Sequence, residues 1–223
     1  MNWKNINVMR NQSVMFYLIL AFIVFLLGCD SKYEYTKPSS TLFKNNSIIV
    51  NKSREDIWDK IIPKIGKTFF VINNLDKDSG LINISYSGDP EEYVDCGQIH
   101  SYIKNLAGQR TYNFPSSRAY QEYEYMEGGY LYHIKRKMDL EGRINIILEE
   151  IAPTQTQVTI NTKYVLTKTI TSQILGSQYY PATQTYTTTF VSGQEGKCTS
   201  GIMICKATGG LEREILSLLL DSD

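Results

Sequence analysis

The sequence predicts an α+β fold: an antiparallel sheet packed against an N-terminal and a C-terminal helix. Three observations predict it. Ile57, Ile61 and Ile65 recur at four-residue steps, one apolar face of a helix. Leu211, Ile215, Leu218 and Leu219 follow helical spacing after Gly209-Gly210. Between these helices the apolar residues alternate, and the Thr-rich stretch 154–189 is β-prone. A sheet covered on one side by two helices buries the apolar faces of all three.

The elements follow in order. Ser47-Ile48-Ile49-Val50 is a short β-like run. Ser53 stands three residues before Asp56, the spacing of a capping box with Asp in the usual Glu place. It opens a helix over roughly 54–67, in which Pro63 removes a hydrogen bond and predicts a kink or a break. Phe69–Asn73 and Leu81–Ser87 are strands around the turn Asn74–Gly80. Residues 88–128 carry no clear period. A structureless loop of that length is unusual, so a short helix over about 98–106, or pinning by a disulfide, is expected there. Tyr130–Asp139 and Arg143–Ile151 read as a hairpin turning at Leu140-Glu141-Gly142. Val158–Thr171 is a long strand, and Thr183–Val191 and Cys198–Cys205 flank a turn at Gly193–Gly196.

Ahead of this body lies a segment of different character. Residues 1–13 are polar and carry Lys4 and Arg10 with no acid, and residues 14–27 (VMFYLILAFIVFLL) are uncharged and apolar. A cationic stretch followed by a short apolar core is the layout of a secretory signal. The run of about 14 residues falls short of the roughly 20 that span hydrocarbon as a helix. Residues 1–28 are therefore expected to be a cleaved signal peptide. Residues 29–45, polar and holding Pro38 and paired serines, read as a tether. Residues 46–223 read as a single α+β domain.

Leu26-Leu27-Gly28-Cys29 resembles the lipobox of bacterial lipoproteins. The resemblance implies a diacylglycerol on the Cys29 thiol, cleavage before it and acylation of the new amino terminus. Several chains matter, because a single acyl chain gives only marginal membrane binding. The implied location is the cell envelope, lipid-anchored and facing the periplasm. Asp30 resembles the inner-membrane retention signal of enteric bacteria; the choice between inner and outer membrane stays open.

Loss of Lys4 and Arg10 takes the formal net charge from +0 to about −2. That leaves no electrostatic footprint for nucleic acid. Export permits disulfides among Cys96, Cys198 and Cys205. Cys198 and Cys205 share a strand or flank a short turn, and seven extended residues cover about 23 Å, far beyond a bridge. Cys96–Cys205 is the expected pair. Cys96–Cys198 and three free thiols are the alternatives, and the role of Cys198 stays open.

Candidate chemistry is sparse. Cys96 and His100, with Asp95 adjacent, could ligate a metal from a helix, but a structural zinc site takes four ligands and no second pair lies at matching spacing. Cys96 as a nucleophile would need a reduced, activated thiolate. Glu91-Glu92 and Glu149-Glu150 could serve glycan cleavage, although neighbours on a strand point to opposite faces. No metal, cofactor or catalytic residue is expected. Tyr120, Tyr123, Tyr125, Tyr130 and Tyr132 crowd thirteen residues. Such rings suit a protein interface or sugar stacking, and equally suit a strand.

Ser53–Trp58, Phe69–Ile72 and Asp76–Ile82 resemble the helix-grip module of envelope lipoproteins such as BamC, over about residues 47–87. Val94–Gly97, Met138–Asn145 and Cys205–Gly209 with Leu211-Glu212 look like a family of uncharacterised Gram-negative lipoproteins. The resemblance carries no catalytic residue and differs from BamC in having one such module. The expected function is a membrane-anchored, non-catalytic binding or scaffolding lipoprotein of the periplasm, meeting an envelope protein or peptidoglycan. The alternative is an envelope hydrolase acting on peptidoglycan through a carboxylate pair.

Overall fold

A computed structural model describes residues 30–42, 46–197 and 203–220. The signal segment, Cys29 and Cys198 lie outside them. The chain runs β1 (Asp30–Thr36), β2 (Ser47–Val50), α1 (Arg54–Ile65), β3 (Val71–Asp76), β4 (Leu81–Gly88), β5 (Val94–Asp95), β6 (Gln98–Asn105), β7 (Gly108–Pro115) and β8 (Tyr120–Glu127). It continues through β9 (Tyr130–Ala152), β10 (Gln155–Ile174), β11 (Ala182–Val191), β12 (Glu195–Lys197), β13 (Ile204–Ala207) and α2 (Gly210–Leu220).

Two long antiparallel strands, β9 and β10, form the spine. Each carries two short strands end to end on its outer edge. Along β10, β2 pairs with residues 156–159 and β11 with 163–172. Along β9, β8 pairs with residues 130–137 and β4 with 140–147, and β3 follows β4. The expected antiparallel sheet with two helices is what forms.

Three expected local features give way to this architecture. Residues 140–142 make no turn, because β9 passes straight through them. Ile134, Arg136, Met138, Leu140, Ile144, Ile146 and Leu148 all face inward in one unbroken alternation. Gly142 lies in that inward series because a Cβ there would come within 2.8 Å of Leu211 Cδ1, so its small size serves packing rather than turning. The helix expected near 98–106 is the hairpin strand β6, with Ile99, Ser101 and Ile103 buried on alternate positions. The tether expected over residues 29–45 is strand from Asp30 to Thr36, in register with β6 along its whole length. The ladder satisfies its backbone, and Tyr33 and Tyr35 gain aromatic and apolar neighbours.

Helix α1 starts where the capping spacing placed it: Ser53 Oγ accepts from the Asp56 amide at 3.1 Å. Glu55 and Asp56 in the first turn and Lys64 in the last oppose the helix dipole. Pro63 does not break the helix, which ends at Ile65 with a Gly66 cap. Ile57, Ile61 and Ile65 are buried as expected. Together with Leu211, Ile215 and Leu219 of α2 they cover the inner face of the β4–β9–β10 half of the sheet. Each such buried side chain contributes about 1.5–3 kcal/mol of apolar transfer. Lys64 Nζ donates to the Leu218 carbonyl at 2.9 Å and ties the helices together.

Over the other half, β1, β6 and β7 form a second sheet. Its core is Ile99, Phe114, Tyr123 and Ile134, with Tyr35, Tyr112, Tyr125, Tyr132 and Ile170 packed around them. A third small sheet, β12–β13–β5, lies between the halves. There Cys96 and Cys205, 109 residues apart, form a disulfide with S–S 2.09 Å. This is the expected pair, in preference to Cys96–Cys198.

Candidate ligand-binding face

The five tyrosines singled out from sequence divide by burial. Tyr123 is only 5% exposed, wedged between Phe114 at 5.1 Å and Tyr112 at 6.5 Å. Burial first, then the neighbouring Tyr33, pushes its hydroxyl pKa far up. Tyr125 stacks on Tyr132 at 5.1 Å, and burial followed by Glu127 pushes its pKa up to about 12. These three rings fill the space between two sheets. Tyr120 and Tyr130 are exposed at opposite ends of β8 and β9 and do not join them. The crowding of tyrosines is chiefly the signature of the second core.

Beside that core, Tyr33, Tyr35, Tyr123, Arg136, Lys168 and Met203 line a cavity of about 240 Å³. Arg136, 2% exposed, donates to the Ser116 carbonyl oxygen and to Met138 Sδ at 2.8 Å. Lys168 Nζ lies 4.9 Å from the centre of the Tyr186 ring.

The acidic and thiol candidates do not assemble. Cys96 is in the disulfide, and Asp95 accepts from the amides of Gly97 at 2.8 Å and Ser40 at 3.1 Å. His100 sits on β6 between Glu34 and Asn113. Glu91 pairs with Arg118 at 3.5 Å, while Glu149 and Glu150 are exposed near the end of β9.

A different site emerges on the outer face of the sheet, away from the helices. Asn83 of β4, Asn145 of β9 and Asn161 of β10 stand in register across three strands. Asn83 Nδ2 donates to Asn145 Oδ1 at 2.6 Å, and Asn46 Nδ2 donates to Asn161 Oδ1 at 2.9 Å. These bonds engage the Oδ1 acceptors of Asn145 and Asn161, leaving their Nδ2 donors for another partner. In the next row Ser85, Arg143, Lys163 and Val191 stand in register. Arg143 Nε bonds Glu141 at 2.7 Å, which lowers the Glu141 pKa and raises that of Arg143. Lys163 has no ion-pair partner among the described residues. Asn83, Asn145, Asn161, Arg143, Lys163 and Val191, with the chain at Thr162 and Ser192, line a concavity of about 500 Å³.

No protein-family model, no curated protein and no solved structure matches this chain. Its chemistry must therefore be read from its own side chains.

Sequence reading passed over this face, yet a signal was present. Asn is depleted in strands, and here Ile82-Asn83-Ile84, Ile144-Asn145-Ile146 and Ile160-Asn161-Thr162 each put one at the outward position of an apolar run. What local pattern cannot supply is the register that lines the three up. The result is a donor-rich floor with two cations, suited to hydroxyl, carbonyl and carboxylate oxygens.

Proposed function

We propose that this protein is a lipid-anchored, non-catalytic binding lipoprotein of the bacterial envelope, held through Cys29 and facing the periplasm. Its ligand site is the concave outer face, and the ligand chemistry that fits best is peptidoglycan, a polymer of hydroxyls, amide carbonyls and carboxylates. The row Asn83–Asn145–Asn161 beside Arg143 and Lys163 carries the reading of the ligand. A lining of side-chain amides and cations favours holding such a ligand over cleaving it. The lipobox-like Leu26–Cys29 and the Cys96–Cys205 disulfide, at home in an oxidising compartment, support the location. The order β2, α1, β3, β4 supports the helix-grip resemblance of residues 47–87.

Two measurements test it. Mass analysis of the protein from a membrane fraction should find a chain that begins at an acylated Cys29, and Cys29→Ala should release it from membranes. The lipidated protein in detergent should co-sediment with purified sacculi. Lys163→Glu and the double variant Asn145→Ala/Asn161→Ala should each lower the bound fraction at least fivefold. Equal sedimentation of wild type and variants overturns the assigned face, and no sedimentation of wild type overturns the ligand.

A further inference from the structure

Strand β1 begins at Asp30, the residue after Cys29, and is paired from that first residue, with Asp30 opposite Lys104. An anchor on Cys29 would thus have no spacer between it and the folded body. The end of the molecule where β1 starts can be located from contacts. Tyr35 lines the same cavity as Arg136, and Tyr33 packs 5.4 Å from Tyr125, which stacks on Tyr132. Passing from Tyr35 to Tyr33 therefore follows β9 from Arg136 towards Tyr132. Three more extended residues, about 10 Å, carry the chain to Asp30. That distance brings it level with the β8–β9 turn, where Glu127 faces Tyr130.

The same end collects exposed apolar side chains. Leu106, at the tip of the β6–β7 hairpin one residue past Asn105, is 98% exposed. The β10–β11 connection holds Tyr179 and Tyr180, 82% and 95% exposed. It starts at this end, because Ile174 faces Tyr132 and the Leu175 amide donates to the Leu131 carbonyl at 2.8 Å. Leaving Leu and Tyr side chains almost fully in water gains nothing for the fold. Tyr rings, apolar with a polar tip, suit the headgroup level of a bilayer.

We propose that this end is a membrane-facing surface, with Leu106, Tyr179 and Tyr180 seated in the interface of the bilayer that holds the Cys29 lipids. The body then lies against the membrane in one orientation instead of swinging on a tether, with Lys104 beside the anchor to meet anionic headgroups. The inference rests on the reading of Cys29 as lipidated.

The test uses the full lipidated protein in phosphatidylethanolamine–phosphatidylglycerol vesicles. Leu106→Trp and Tyr180→Trp are made separately, with Ile151→Trp, at the opposite end of β9, as control. Quenching by lipids brominated near the headgroup is read against the wild-type signal. The expected result is at least twofold stronger quenching at 106 and 180 than at 151; either variant alone suffices should the other fail to fold. Vesicle-bound protein with all three positions equally unquenched overturns the membrane-facing end and leaves the anchor standing. So does concentration-dependent burial of position 106 or 180 in detergent, which assigns the surface to a second copy. Failure of the protein to carry lipid at all is a failure of the anchor reading, seen separately by mass.

Discussion

The Tyr164 hydroxyl donates a 2.7 Å hydrogen bond to Glu212 Oε2, and both side chains are fully buried. Ser192 Oγ donates to the other carboxyl oxygen. The contact joins β10 to the first turn of α2, so one polar network sets how the C-terminal helix lies on the sheet. Burial first and Glu212 second push the Tyr164 pKa far up, keeping that hydroxyl a donor. Tyr164→Phe leaves the carboxyl short of one partner and should cost about 1–3 kcal/mol in urea unfolding. Glu212→Ala should cost more, since it strands the buried Tyr164 hydroxyl and leaves Ser192 Oγ only the longer bond to the Thr162 carbonyl oxygen.

Loss of the Cys96–Cys205 bridge should be costly, because it closes a loop spanning 109 positions. The Cys96→Ser/Cys205→Ser variant should be destabilised by about 2–5 kcal/mol. Wild type treated with reductant should converge on the variant in the same unfolding assay. Unchanged stability would show that the bridge constrains nothing the fold does not already hold.

Gly97 has φ +79°, and a Cβ there would come within 2.0 Å of the Thr36 carbonyl oxygen. Gly97→Ala should therefore cost more than about 1 kcal/mol from the left-handed backbone alone. The clash should also lift the end of β1 from β6. Limited trypsin digestion should then cut at Lys32 and Lys37 faster than in wild type, while the β9–β10 spine stays intact.

Asp95 lies beside the bridge. Burial works to raise its pKa, but the amides of Gly97 and Ser40 and the charge of Lys206 outweigh it and hold the carboxyl below its ordinary value. The folded-state value being the lower one, its contribution is present above the ordinary carboxylate pKa and is lost as pH falls through the folded value. The urea midpoint of wild type should fall on acidification below about pH 4. Asp95→Asn should be less stable at neutral pH and lose less over the same range.

Much of the helical scaffold was legible locally. Ser53 with Asp56 and the Ile57–Ile61–Ile65 spacing located α1, and Leu211–Leu219 located α2, because a helix is built from neighbours in sequence. The β6–β7 hairpin was not legible. Its buried positions include Ser101, and the outward residues His100 and Tyr102 blur the alternation. Gly142 misled in the same way, reading as a turn when its role is to admit Leu211.

The tyrosine cluster was visible in composition, but whether its rings met solvent or one another depended on where β1 and β6 docked. The asparagine row was visible only as three isolated strand residues.

By itself the sequence determined the two amphipathic helices and the β character of the second half. These follow from periodicities and spacings that act over a few residues. Only the tertiary structure decided that β9 runs unbroken, that Asn83, Asn145 and Asn161 share a row, and that Leu106 and Tyr180 stand at the end where Asp30 emerges. Those relations depend on strand register and sheet packing, which are settled by contacts between residues far apart in the chain.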